Sequence, residues 1–149
     1  MGTLKGMGPM FILLLLATFV VFEASCQSKL QNKRFYREHY DFPKSNFSGK
    51  YCESIMEQRG LTMPRYREGS TFIHAPKEDI GAVCGDGGEE YQKSQRTYRR
   101  SKNVFGVTIC ELRVTPGEES HSYKEINAPK HIVILCKKGR PVHLEETQN

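Results

Sequence analysis

The chain has 149 residues, 26% of them charged, and a formal net charge of +5 at pH 7. This length indicates one small basic domain rather than several. The sequence contains no internal repeat and no low-complexity segment, and it lacks the CxxC or HxxxH spacing that would indicate a zinc site.

The first 26 residues are typical of a secretory signal peptide, which is removed from the mature protein. Lys5 supplies a positive start, Met10–Phe22 is an apolar run of 13 residues, and residues 24–26 (ASC) offer a small-residue cleavage site. The apolar run is shorter than the ~20 residues that span a bilayer, so a retained membrane anchor is the less favoured alternative. We expect a secreted, extracellular protein in which residues 27–149 form a single domain.

Cleavage after Cys26 changes the number of cysteines from five to four. An even number in an oxidising compartment predicts two disulfide bonds. Four cysteines allow three connectivities, and the sequence alone does not choose among them. The four are Cys52, Cys84, Cys110 and Cys136.

A first helix is predicted near the start of the expected mature chain. Phe35 and His39 are four residues apart and therefore lie on one helical face, where Phe35 can anchor the helix and His39 can face a groove. Taken alone, such a histidine is more often an ordinary surface residue. The segment Asp41–Lys50 is a linker, and its N-x-[ST] sequon makes Asn46 a candidate glycosylation site.

Two short helices and a strand are predicted between Tyr51 and Cys84. The earlier of these two helices is indicated by four residues at helical spacing, namely Cys52, Ile55, Met56 and Arg59. Pro76 opens the second helix, in the first turn, where its missing N–H is tolerated. Between the two helices, Ser70–His74 has the composition of a strand.

The segment Gly85–Asn103 is polar. Gly85–Gly88 is rich in glycine but lacks the GK[ST] ending of a phosphate-binding loop, so it is interpreted as a plain turn. The basic run Arg96–Lys102 is interpreted as a solvated loop, although basic residues beside tyrosines can help to hold a polyanion. Val104–Val114 then alternates as a strand, with Cys110, Leu112 and Val114 on one face.

Two strands are predicted at the C-terminus. Ile132–Cys136 is a continuous apolar run typical of a central, doubly covered strand, and Lys137–Pro141 turns the chain. In the next strand the period of two places Val142 and Leu144 on one side and His143 on the other. The elements together predict an α+β fold with helices first and an antiparallel sheet after them.

Five runs of this chain closely resemble the ribonuclease A superfamily, and most closely its angiogenin-like branch. They are FYREHYD (35–41), YCESIM (51–56), RGLT (59–62), TFIH (71–74) and PVHLEE (141–146). The resemblance covers essentially the whole mature chain. It implies three N-terminal helices packed on a bent antiparallel sheet, with disulfides Cys52–Cys110 and Cys84–Cys136. Each disulfide would close a loop of more than fifty residues, worth about 4 kcal/mol in the chain-entropy model.

The resemblance also implies cleavage of single-stranded RNA, such as tRNA, 3′ to pyrimidines, through a 2′,3′-cyclic phosphate and without metal or cofactor. It assigns the base to His39, the acid to His143 and the phosphorane-stabilising cation to Arg67. Two imidazoles with ordinary pKa values near 6.5 can serve as base and acid at neutral pH. The positions that it assigns to substrate binding are Thr71 and Ser70 at the pyrimidine, Glu38, Arg34 and Arg37 at the phosphate, and Glu145 beside His143.

Several departures from the family pattern predict reduced activity. Arg67 replaces a lysine, and its planar guanidinium is not a point charge. Glu38 replaces a glutamine, and a carboxylate there repels the substrate and favours protonated His39. Ser70 stands where asparagine is usual, which weakens the expectation of base selectivity. Tyr66 and His121 occupy both positions of a third family disulfide, so the loop that carries Arg67 is expected to be less constrained.

The alternative function is that of a catalytically weak or inactive cationic secreted protein, acting as an angiogenic ligand or an antimicrobial host-defence factor. In that case the +5 charge would act on cell-surface polyanions or bacterial membranes. A variant that lacks both histidines distinguishes the two, because only cleavage requires them. The protein is expected to be a monomer in either case.

Overall fold

The computed structural model describes residues 8–114, 117 and 121–149. The elements in this part of the chain are α1 (Pro9–His39), α2 (Tyr51–Gln58), β1 (Gly69–Ile73), α3 (Lys77–Ala82), β2 (Gly88–Lys93), β3 (Arg96–Ser101), β4 (Phe105–Arg113), β5 (Ser122–Lys137) and β6 (Arg140–Gln148). The predicted α+β class is confirmed, with β1 lying between α2 and α3 in chain order.

The helix α1 continues without a break through the predicted cleavage position after Cys26. The N-terminal part of α1 is exposed. The helix is long and apolar enough to cross a membrane, a property that signal sequences share. Burial against the rest of the protein begins at Ser28 and includes Phe35 and Glu38. Only the C-terminal part of α1 therefore belongs to the packed fold, and the apolar part fits a signal peptide.

The six strands form a bent antiparallel sheet in which β5 is shared by two halves. The first part of β5 pairs with β4, from Ser122 opposite Arg113 to Lys130 opposite Phe105. Its second part pairs with β3 on one side and with β6 on the other. The order is β1-β4-β5-β3-β2, with β6 added at β5.

Two buried clusters hold the helices on this sheet. One lies beneath α1 and α3 and is formed by Phe35, Ile73, Ala75, Ile80, Val83, Val107, Ile132 and Ile134. The other lies beneath α2 and is formed by Tyr51, Cys52, Ile55, Met56, Leu61, Phe72, Cys110 and Tyr123. Each large aliphatic or aromatic side chain buried in this way contributes roughly 1.5–3 kcal/mol. The helical spacing of the second set explains why α2 lies where the sequence predicts it.

The two disulfides pair as the resemblance implies. Cys52–Cys110 joins α2 to β4, and Cys84–Cys136 joins the end of α3 to β5. The paired cysteines are 58 and 52 positions apart in sequence. The first bond therefore connects a helix, and the second the turn directly after a helix, to a strand that is distant in the chain.

The interpretation of Arg96–Lys102 as a solvated loop is wrong, because β2 and β3 form a hairpin there. Ser94 and Gln95 form its two-residue turn with φ of 50° and 63°, the left-handed geometry that matches the twist of a hairpin. Tyr98 is buried, and Arg99 donates hydrogen bonds to the carbonyls of Val83 and Gly85 after α3 and of Gly88 at the start of β2. Part of the basic run is therefore structural.

Two other strand predictions differ from the structure. β5 begins at Ser122 rather than at Ile132, because its first part is a polar strand paired with β4 and only its second part is apolar. β4 ends at Arg113, and Val114 lies beyond it with an exposed side chain rather than on the buried face. An apolar run identifies a covered strand, but it does not show how far a partner strand extends the pairing.

Candidate active site

The C-terminal end of α1 is fixed on β1 by side-chain to backbone hydrogen bonds. The Ser70 hydroxyl donates to the carbonyl of Glu38 at 2.7 Å, and it is thereby already engaged within the protein. The His39 ring lies against the same strand, with its Nδ1 3.0 Å from the carbonyl oxygen of Thr71. The position of His39 is therefore set by backbone atoms of the sheet.

The contact with Thr71 determines which nitrogen of His39 is basic. A carbonyl oxygen only accepts, so Nδ1 carries the proton and Nε2 of the neutral ring holds the free lone pair. The side chain is 15% exposed, and Nε2 lies 4.0 Å from Oε2 of Glu38. Burial lowers the pKa of His39 below its usual value, which outweighs the opposite effects of the Thr71 hydrogen bond and the Glu38 charge. The expectation that Glu38 makes protonated His39 the favoured form is therefore outweighed by burial.

His143 projects from β6 with its side chain 53% exposed, on the side opposite to its aliphatic neighbours as the alternation predicts. Its Nε2 lies 3.0 Å from Oε2 of Glu145, and a carboxylate accepts, so this nitrogen carries a proton. The hydrogen bond from His143, with a further one from Lys93, holds the pKa of Glu145 below its usual value. The remaining nitrogen, Nδ1, is the one that can exchange a proton with a bound molecule.

His39 and His143 line one cavity of about 250 Å³. They are 104 positions apart in the sequence, and they converge because α1 lies along β6, where the Asn32 side-chain amide donates to the carbonyl of Pro141 at 2.8 Å. The full lining is Gln31, Arg34, Phe35, Glu38, His39, Leu135, Lys137, Val142 and His143. Two imidazoles with one defined proton each therefore face a common space.

Glu38 is the centre of an arginine cluster at the edge of this cavity. Its carboxylate lies 3.0 Å from Nε of Arg34, 3.6 Å from Nη2 of Arg37 and 3.0 Å from Nη1 of Arg67. The side chain is only 9% exposed. Burial by itself raises the pKa of Glu38, but the hydrogen bond from Arg34 and the charge of Arg67 outweigh it, and the net pKa is lowered. Glu38 is therefore an ionised group that forms ion pairs with these arginines.

Arg67 does not line the cavity of the two histidines. It lines a separate, more open pocket of about 900 Å³ together with Arg37, Arg65 and Tyr66. Its guanidinium approaches the histidine cavity only through the ion pair with Glu38. The structure thus brings His39, His143, Glu38 and Arg34 together and places Arg37 and Arg67 behind Glu38.

The loop that carries Arg67 is held by non-covalent contacts where the resemblance would place a third disulfide. The rings of Tyr66 and His121 are stacked, with centroids 4.3 Å apart and an interplanar angle of 7°. The Tyr123 hydroxyl donates to the carbonyl of Arg67 at 2.8 Å. Aromatic contacts of this kind contribute roughly 0.5–1.5 kcal/mol, less than a long-loop disulfide.

A further pocket of about 270 Å³ also has His39 in its lining. Thr71 and Ser70 line it, together with Leu144, Glu145 and Thr147 of β6. Thr71, the residue assigned to the pyrimidine, is therefore next to the imidazole assigned to the base. Asn46 lies apart from all of these pockets, in the exposed loop before α2.

Sequence reasoning missed two polar residues of the histidine cavity, Gln31 and Lys137. Gln31 is four residues before Phe35, a spacing that places it on the same helical face. Lys137 directly follows the apolar run of β5 and was included in the turn. Within residues 8–114, 117 and 121–149, no three His, Cys, Asp or Glu side chains converge in a way that would hold a metal ion.

The fold is that of a pancreatic-type ribonuclease, and the family model "Pancreatic ribonuclease" matches residues 30–145. The chain belongs to this family, which supports a ribonuclease-type function.

Its curated relatives include angiogenins, in agreement with the branch that the sequence motifs resemble. Angiogenin of Sus scrofa is 34% identical over 142 residues, covering 95% of this chain and 93% of the relative. Angiogenin-2 of Bos taurus is 40% identical over 113 residues, covering 75% and 89%. Among solved structures, the ribonuclease of green turtle egg white superposes with a TM-score of 0.70 at 29% identity, covering 78% of this chain and 98% of that one.

Proposed function

We propose that this protein is a secreted, monomeric endoribonuclease that cleaves single-stranded RNA 3′ to pyrimidines, without metal or cofactor and with reduced activity. The observation that supports this most directly is that His39 and His143 line one cavity, each with a single ring nitrogen left for the substrate. The mature enzyme consists of residues 27–149, with Asn46 exposed for glycosylation.

In the proposed reaction, Nε2 of His39 removes the proton from the 2′-hydroxyl of the ribose. The 2′-oxygen attacks the adjacent phosphorus, and the bond from phosphorus to the 5′-oxygen breaks. Protonated Nδ1 of His143 gives its proton to that departing oxygen, so that the products are a 2′,3′-cyclic phosphate and a free 5′-hydroxyl. Glu145 orients the His143 ring, and Thr71 reads the pyrimidine. DNA lacks the nucleophile and is not cleaved.

The reduced activity follows from the arginine cluster. A phosphate that approaches Arg34 or Arg67 must compete with the Glu38 carboxylate, which already lies 3.0 Å from each of them. The negative charge that develops on the phosphorane therefore receives less stabilisation than three neighbouring arginines would otherwise provide.

The test is cleavage of poly(C) and tRNA by purified residues 27–149 in the presence of EDTA, with the His39→Ala/His143→Ala double variant as the blank. We expect oligonucleotides that end in 2′,3′-cyclic phosphate from the wild type only, and no cleavage of the matching DNA. RNA that stays intact over days, or is degraded equally by the double variant, would reject the proposal. A rate that EDTA abolishes would reject its metal-independence.

We predict that Glu38→Gln increases kcat/KM on poly(C) about tenfold, equivalent to about 1.4 kcal/mol of transition-state stabilisation. The amide keeps the shape of the side chain but releases the guanidinium groups of Arg34 and Arg67 for the phosphate. Glu57→Gln is the control, because Glu57 is exposed on α2 away from the cavity. An unchanged or lower rate for Glu38→Gln, at an unchanged melting temperature, would show that Glu38 does not limit activity.

A further inference from the structure

One lysine lines the histidine cavity and, unlike the neighbouring arginines, forms no ion pair within the described part of the chain. Lys137 is exposed and lines the same space as His39 and His143. Its Nζ makes a long contact of 3.4 Å with Oε1 of Gln31, and in the described part of the chain no carboxylate lies within 4.0 Å of it. Its positive charge is therefore available to an anion in the cavity.

Two neighbouring arginines are placed differently from Lys137. Arg34 lines it, but its Nε is hydrogen bonded to Glu38 at 3.0 Å. Arg67 is paired with the same carboxylate and faces another pocket. A phosphate between the two imidazoles would thus meet Lys137 without first displacing a carboxylate.

The backbone of Lys137 is fixed although its side chain is exposed. It is the last residue of β5 and pairs with Arg140 across the turn to β6. The preceding residue, Cys136, is held to Cys84 by a disulfide. A flexible four-carbon stem on a fixed strand end is well suited to follow a phosphate as its charge and geometry change.

We propose that Lys137 contacts the phosphate bound between His39 and His143 and supplies the positive charge that Arg67, held by Glu38, does not supply. This inference rests on the proposed function of the cavity. It assigns the ammonium group to the scissile phosphodiester, where it acts as a point charge and not as a proton donor.

The experiment compares Lys137→Met, which keeps most of the apolar stem, with Lys124→Met on the same strand. Lys124 is exposed and lies outside the cavity lining. For Lys137→Met we expect about a tenfold loss of kcat/KM on poly(C), near the effect of one phosphate contact, and partial recovery in Lys137→Arg. The control should stay close to wild type.

Binding of a non-cleavable 2′-deoxy oligonucleotide, measured by fluorescence anisotropy against salt concentration, gives a readout that does not depend on turnover. Loss of one phosphate contact should reduce the slope of log K against log salt by about 0.7 for Lys137→Met. If the wild type cleaves RNA and Lys137→Met matches it in rate and slope, as Lys124→Met should, the inference is overturned. If the wild type fails to cleave but Lys137→Met still lowers the slope, the phosphate contact stands and the proposed catalysis falls.

A double-mutant cycle with Glu38→Gln tests whether Lys137 compensates for Arg67. When the amide releases Arg67 and Arg34, the cost of Lys137→Met should fall to about threefold, because a second cation then reaches the phosphate. The same tenfold cost in both backgrounds would overturn this compensation.

Discussion

Replacement of His39 by alanine should lower kcat/KM on poly(C) by about 10²–10⁴-fold, the range expected for loss of a positioned general base. His39 is the imidazole whose basic Nε2 is defined by the Nδ1 contact with the Thr71 carbonyl. His131→Ala is the matched control, since the Nδ1 of His131 also lies 2.8 Å from a backbone carbonyl, that of Ser101, but the ring is outside the cavity lining. We expect the control to change the rate by less than about threefold.

The two variants must both be folded for this comparison, which circular dichroism and thermal melting check. If His131→Ala loses as much activity as His39→Ala, the loss reflects stability and the assigned role of His39 is wrong. If His39→Ala keeps more than about a tenth of the wild-type rate, another group acts as the base.

The pH profile should carry the signature of a buried base. The folded-state pKa of His39 lies below its ordinary value of 6.5 because burial disfavours the charged ring. His39 must be neutral to accept a proton, so kcat/KM should rise with pH through that lowered pKa, and its acid limb should lie below about pH 6.5. Glu38→Gln removes a charge that raises the pKa of His39, so it should move this limb to still lower pH. A limb at or above pH 6.5 would contradict the environment described for His39.

The same shift has a consequence for stability. Unfolded His39 binds a proton more readily than the folded ring does. The free energy of unfolding therefore decreases as the pH falls from the unfolded-state pKa toward the lower folded-state pKa. The loss is absent at neutral pH and above.

Removal of the Cys52–Cys110 disulfide, as Cys52→Ala/Cys110→Ala, should lower the free energy of unfolding by about 4 kcal/mol or more. The bond closes a loop with a sequence separation of 58, for which the chain-entropy model gives about 4 kcal/mol. Both sulfurs also lie in the buried cluster beneath α2, so alanine leaves unfilled space there. Since whole small domains are stable by only about 5–15 kcal/mol, this loss is a large share of the total stability.

Urea denaturation followed by circular dichroism measures this loss, and Cys84→Ala/Cys136→Ala serves as the comparison. That bond has a similar sequence separation of 52, but its cysteines are only partly buried. The chain-entropy contribution is thus nearly equal, and the second variant should lose less because less packing is removed. An equal or larger loss in the second variant would show that packing around Cys52 and Cys110 contributes little.

Much of the fold could be predicted because its signals are local. The spacing of Cys52, Ile55 and Met56 predicted α2, and the alternation around His143 predicted which way that ring points. The hairpin of β2 and β3 could not be found in the same way. Its strands carry mainly polar side chains, and Tyr98 is buried only in the folded protein, where other parts of the chain cover it.

The residues of the candidate site were predicted from family motifs and not from local periodicity. The roles of His39 and His143 and the pairing of the cysteines came from the resemblance of short motifs, since spacing alone left three connectivities open. The partners of Arg67 could not be predicted, because ion pairs depend on which side chains meet after folding and not on their order in the chain. Lys137 was missed because it was included in the predicted turn, although it is the last residue of β5.

By itself the sequence determined the periodic faces of its helices and strands, the number of cysteines available for pairing and the presence of two histidines in family motifs. Only the tertiary structure decided that Glu38 forms ion pairs with the arginines and that Lys137 lines the same cavity as the two imidazoles. The physical reason is that periodicity of 3.6 or 2 specifies a face, whereas charges interact over a few ångströms between residues that the whole fold brings together.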